Sequence, residues 1–156
     1  SIKATRSDEN TIKYLNDNKI IAQDVHKAMQ FSCSERTEIV ITFDTPKEIC
    51  ALQVFNAYEY EYGFGSIDGA IFDLAEKPFW YPDDVEYVNK AYIKGIGFNS
   101  KYDRENDFGK YIPTGAAASV SFSPIKVNSV TIVISEKLSK ENNDTIKVSE
   151  IKILGK

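Results

Sequence analysis

Val130-Thr131-Ile132-Val133-Ile134-Ser135 and Ile146-Lys147-Val148-Ser149-Glu150-Ile151-Lys152-Ile153 decide the fold class of this 156-residue chain. The first places large apolar side chains at 130, 132 and 134, and the polar loop 136–145 separates it from the second. An extended chain sends successive side chains to opposite faces, so this alternation marks strands with one face on a core and one in water. Three residues after Ile153 the chain ends, so the last strand is expected to close a domain. Working outward, 38–43 (Glu-Ile-Val-Ile-Thr-Phe) repeats the pattern, and 48–55 follows across Asp44-Thr45-Pro46-Lys47. Residues 67–74 read as another strand with Gly69 a bulge, and 85–98 alternates more loosely. A short strand is expected at 120–122, after the small-residue run 115–119. Nearer the start, 2–5 and 11–15 read as short strands, Asn16-Asp17-Asn18 as a turn, and 22–30 as a short helix, with 28–33 equally readable as extended. Many short strands with turn signals between them, and no series of helix-length segments, predict an all-β, antiparallel two-sheet sandwich.

Size and composition narrow the function classes. The chain reads as a single domain over 1–156, excised from a larger protein because it begins at Ser1 without Met. A net charge of −4, with 19 basic residues scattered among 23 acids, argues against a nucleic-acid surface. No apolar run reaches the roughly 18 residues that a membrane helix needs. Cys33 and Cys50 lie in separate apolar segments, which leaves open a disulfide or two buried thiols. His26 is the sole histidine, and no nucleophile or orienting acid can be paired with it, so the chain is expected not to be an enzyme.

Residues 38–49, 123–132 and 148–153 resemble the core strands of discoidin-like, galactose-binding-like domains in order and spacing. The family-32 carbohydrate-binding modules of bacterial glycosidases are the nearest comparison. The resemblance implies a jelly-roll sandwich acting as a non-catalytic module on a secreted or cell-surface multidomain protein. Its expected partners are a glycan and the other domains of a parent glycoside hydrolase or surface protein. A protein-docking or adhesion module of the same fold is the alternative. The resemblance also implies a structural calcium ion held by a Glu at the place of Glu150 and an Asp near Asp24. The family's glycine-rich loop and its Trp are replaced here by 24–31, with Phe31 in the tryptophan's place.

Individual residues sharpen these expectations. Glu150 keeps the parity of Ile146 and Val148, whereas Ile151 and Ile153 have the other. Either the strand bulges between 148 and 151 with Glu150 solvated, or a carboxylate points inward and needs a cation or donors. Trp80, the only tryptophan, lies in Lys77-Pro78-Phe79-Trp80-Tyr81-Pro82-Asp83-Asp84. Sugars stack flat C–H faces on aromatic rings, so Trp80 and Tyr81 are candidate platforms, with burial under the loop the competing reading. Phe79 is expected to be buried. Asn99, Asp103 and Arg104 are the candidate hydrogen-bonding partners of the sugar. The acids of 103–107 lack the glycine and glutamate of an EF-hand loop and read as a solvated loop. Tyr58-Glu59-Tyr60-Glu61-Tyr62 reads as a half-exposed core edge, with a binding groove the minority reading.

Overall fold

The computed structural model describes residues 1–4, 9–18, 28–32, 37–56, 64–94, 117–134, 136–137 and 145–155. These form β1 (Ile2–Ala4), a 3₁₀ helix (Glu9–Asn16), β2 (Met29–Ser32), β3 (Thr37–Asn56) and β4 (Phe64–Ser66). They continue as β5 (Gly69–Leu74), β6 (Lys90–Lys94), β7 (Ala117–Ile134), β8 (Glu136–Lys137) and β9 (Thr145–Leu154). All the pairings among them are antiparallel.

Two long strands organise the molecule. β3 and β7 pair from Thr37↔Ile134 to Phe55↔Ala117. The segments 38–43 and 48–55 are therefore two halves of one strand, not two strands joined by a turn. Both halves run along the same partner in the same sense. Between them the register jumps from Thr42↔Ser129 to Lys47↔Val127, so residues 43–46 bulge out opposite Asn128. Pro46 sits in that bulge, where its missing N–H costs no ladder bond. The next irregularity, between Ile49 and Ala51, sets residues 122–124 of β7 against Cys50, and it contains Pro124. Each long strand thus carries its proline where it bends. The expected short strand 120–122 is simply part of β7.

Beyond the bends the halves take different partners. β1 pairs with 39–41, and β5 pairs with 127–133 and carries β6 on its other edge. On the other side β9 pairs with 51–56 and carries β2. Ile39, Ile41, Phe72, Val130, Ile132 and Ile134 from one layer share a core with Leu52, Val54, Ala118, Val148 and Ile151 from the other. The expected two-sheet sandwich is what the chain builds. Its two halves are one ribbon folded back on itself.

Two local expectations change. Residues 11–15 belong to the 3₁₀ helix. Thr11 and Leu15 are buried while Lys13 is exposed, whereas a strand would turn all three to one face. In the stretch 85–98 the strand begins at Lys90, because 85–89 is held in the preceding loop; it is described as far as Lys94, and 95–98 lie outside the described residues. No helix among the described residues is long and apolar enough to cross a membrane.

The fold-back sorts the connections between two ends. At the bend end lie Ser1, residues 43–48, the β5–β6 loop 75–89, and Gly155. At the far end the strands stop at Ser32, Thr37, Asn56, Gly69, Lys94, Ala117, Ile134 and Thr145. Residues 33–36, 57–63, 95–116 and 138–144 are attached there.

Candidate functional site

The β5–β6 loop is built by its own side chains. Its base is closed by the Leu74 N–H to the Asn89 carbonyl at 2.8 Å, and by Asn89 and Lys90 each reaching Asp73 at 3.2 Å. Pro78 is buried, and the Tyr81 N–H bonds back to its carbonyl at 3.0 Å. The Tyr81 hydroxyl donates to the Glu86 carbonyl at 3.1 Å and accepts from the Val88 N–H at 3.3 Å. Its ring meets Tyr87 edge-on, centroids 5.2 Å apart, and Lys77 lies 5.7 Å from its centre. Lys77 also reaches Asp83 at 3.3 Å. Tyr81 is therefore a strut of the loop.

The neighbours of that strut face water. Trp80 is 45% exposed, its ring 6.5 Å from that of Tyr81. Phe79 is 89% exposed, against the expectation that it would be buried. The reason is local: buried Pro78 and the braced Tyr81 occupy the space beneath the loop, so the residues between them point outward. Val85 and Val88 are also exposed, as is Tyr92 on the edge strand β6.

Glu150 forms a second feature. β9 pairs Asn56↔Val148 and then Phe55↔Glu150, which leaves Ser149 as an extra residue. This bulge lets Val148 and Ile151 both reach the core despite their opposite parity. One element of each expected alternative is found, since the strand bulges and the carboxylate is nevertheless buried: Glu150 is only 3% exposed. The turn after the 3₁₀ helix lies against it, and backbone N–H groups of Asn18 and Asp17 donate to its carboxylate. Asn18 adopts φ 64°, a left-handed conformation that Asn tolerates better than most residues. Glu150 Oε2 has no hydrogen-bond partner among the described residues. Burial raises the Glu150 pKa above the usual carboxylate value, and the Asp17 charge raises it further, against those donors and Lys152. The sequence marked 16–18 as a turn, but nothing local could say that it would cover Glu150.

The remaining candidates divide. Asn99, Asp103 and Arg104 lie outside the described residues, in a segment whose flanks, Lys94 and Ala117, are both at the far end. Trp80 and Tyr81 are at the bend end. The strands that anchor the two groups run the length of the sandwich between them. Asp24, His26 and Cys33 also lie outside the described residues, as does Tyr58-Glu59-Tyr60-Glu61-Tyr62. Cys50 carries a free, half-buried thiol. No group of three or more His, Cys, Asp or Glu side chains able to hold a metal occurs among the described residues.

Solved structures share this architecture along nearly the whole chain. CpGH89CBM32-5 of Clostridium perfringens, in complex with GalNAc-beta-1,3-galactose, superposes with a TM-score of 0.63 at 12% identity, covering 99% of this chain and 94% of that one. The fold is that of the family-32 carbohydrate-binding modules. CBM32-3 from a family 31 glycoside hydrolase of the same organism matches with a TM-score of 0.63 at 13% identity, over 99% and 88% of the two chains. A third match is a Clostridium perfringens ZmpB structure that contains CBM32-1, CBM32-2 and M60 catalytic domains. It has a TM-score of 0.58 at 13% identity, with all of this chain but 14% of that one covered. No family model and no curated protein matches the sequence. At these identities the likeness shows the architecture.

Proposed function

We propose that this domain is a non-catalytic carbohydrate-binding module that serves a larger secreted or cell-surface protein. It holds a neutral glycan on the loops of the far end. The observation that carries the reading is the near-complete superposition on a domain solved with GalNAc-beta-1,3-galactose. The ZmpB match supports the accessory role, since like-folded modules there share a chain with a catalytic domain. Four connections lead off one end of a rigid sandwich, and loops on such scaffolds are where binding residues concentrate. Asn99, Asp103 and Arg104 belong to the segment between Lys94 and Ala117, two strand ends that both lie there. An amide, a carboxylate and a guanidinium fork supply the donors and acceptors that vicinal hydroxyls require. Screening on a glycan array followed by titration of the best hit tests the reading. Arg104→Ala is expected to weaken that hit at least tenfold, about 1.4 kcal/mol. Silence across neutral and acidic glycans alike would count decisively against it and in favour of protein docking.

A structural calcium ion belongs to the same proposal. The fit is carried by Glu150, whose buried Oε2 lacks a partner and whose neighbour Asp17 adds like charge. Glu150 and Asp24 are the residues that would hold it. Calcium supplies positive charge to oxygen ligands and so removes the cost of the buried carboxylate. The pH dependence follows from the direction of the shift. A folded-state pKa raised above 4.5 means that the folded chain holds this proton more tightly than the unfolded one. Without calcium, this group's destabilising contribution is absent below about pH 4.5, grows as pH rises through the folded pKa, and is complete above it. In a chelator at pH 7, Glu150→Gln should therefore raise Tm relative to the parent, and the gain should vanish on acidification. With calcium added the parent should gain Tm and the variant should not. Calcium-independent melting of the parent would remove the ion from the proposal.

A further inference from the structure

The aromatic loop at the bend end is left over once the glycan is assigned to the far end. Exposing Phe79 and half of Trp80 forfeits apolar burial, and the same loop also leaves Val85, Tyr87 and Val88 in water; large apolar side chains grouped in this way mark interaction sites. The loop is not loose around them. Its base is hydrogen-bonded to Asp73, and Tyr81 is held by Glu86, Val88, Tyr87 and Lys77. Rings presented on a loop already fixed in shape bind without first being ordered, which lowers the cost of association.

We infer that Phe79 and Trp80 form a second saccharide-stacking site, at the opposite end of the sandwich from the far-end loops. Its ligand class is a neutral β-linked oligosaccharide with equatorial hydroxyls. Such sugars present flat faces made only of C–H groups, and their hydroxyls project around the ring edge. The platform is open, so it offers a face to stack on and no walls to enclose a chain terminus. Carboxylates stand beside it: Asp83 is tied to Lys77, which itself touches the Tyr81 ring, and Asp84 is exposed. They accept hydrogen bonds from hydroxyls and repel acidic sugars. The same acids disfavour a protein partner, because the cores of protein interfaces are depleted in Asp and Glu. A domain with one sugar site at each end bridges two chains or two points of one chain, and gains avidity without any added contact.

The chain's single tryptophan makes the test direct. The intact chain is titrated with cellotetraose while Trp80 fluorescence is followed. A saturable change is expected in the parent and in Arg104→Ala, because the two sites are separate. Phe79→Ala should weaken the response about tenfold, and Trp80→Ala should lose cellotetraose binding by calorimetry. Phe79→Ala should melt with the parent and Trp80→Ala within a few degrees of it, since Phe79 and half of Trp80 face water. Absence of any response would overturn the inference, as would unchanged calorimetric affinity in Trp80→Ala. Loss of the response in Arg104→Ala would also overturn it, because there would then be one site. Silence to cellotetraose with a Trp80 shift on adding a parent catalytic domain would assign the loop to protein docking instead. A negative glycan array leaves a positive Trp80 titration standing, so failure here and failure of the far-end reading are distinguishable.

Discussion

Phe72→Ala should cost this domain about 4 kcal/mol, the range seen when a large aromatic is truncated in a packed core. Phe72 is fully buried in the middle of β5, and its ring lies 5.1 Å from that of Phe122. Phe122 belongs to the bulged stretch of β7, so the contact fixes the sheet containing β5 against the bend of the long ribbon. Truncation removes the transfer energy of the ring and leaves a void that two stiff sheets collapse into poorly. For a chain of 156 residues this corresponds to a fall in Tm of roughly 10 °C. Urea unfolding checks it through a lower midpoint at unchanged slope. Phe79→Ala, the same substitution on an exposed ring, should stay within about 0.5 kcal/mol of the parent. Equal losses at the two positions would contradict the burial assigned to each.

The second large effect is expected at Gly69, where Ala should cost about 2–3 kcal/mol. A Cβ built there would overlap the Ile93 carbonyl oxygen, a backbone atom that cannot rotate away. The backbone at Gly69 also has φ +156°, which L side chains rarely adopt. Gly69 pairs with Lys94 on one side and Val133 on the other, so relief requires parting strands. Overpacking of this kind typically costs 1–3 kcal/mol. Because β6 is the edge of its sheet, the strain should be released there. Amide hydrogen exchange across Lys90–Lys94 should accelerate well before the rest of the sandwich is affected. Uniform protection in the variant would show that the backbone accommodates a methyl group after all.

Much of this molecule was legible from period-two alternation. The spacing of apolar residues at 39 and 41, 52 and 54, and 130, 132 and 134 gave the strands and the face each turns to the core. Alternation is a property of each strand alone, and it cannot say which strands are the same strand. Pro46 looked like a separator because proline breaks ladders, and β7 carries Pro124 in a like position. In the fold they mark bulges within ladders that continue on both sides, which depends on β7 being there to pair with both halves of β3. The segment 11–15 was misread because a five-residue window fits two periods. Burial of Thr11 and Leu15 came from the sheets that cover them.

The candidate site divides along the same line. The composition of 77–84 predicted an aromatic surface loop, and Trp80 is half exposed as that reading allows. Which ring faces out was decided by Pro78 and Tyr81 filling the space below, a matter of packing that reversed the expectation for Phe79. Glu150 was singled out by its parity, a signal carried within one strand. Its burial depends on the Asp17–Asn18 turn, more than a hundred residues away in the chain.

Sequence alone determined that the chain alternates as a two-faced β protein, with a turn at 16–18 and an aromatic loop between Pro78 and Pro82. Short-range periodicity suffices for this, because side-chain direction along a strand is local geometry. Only the tertiary structure decided that the ribbon folds back, so that Trp80 lies at one end while Lys94 and Ala117, which flank Arg104, lie at the other. Pairing between distant residues sets that arrangement, and no local pattern encodes which partner a strand edge will find.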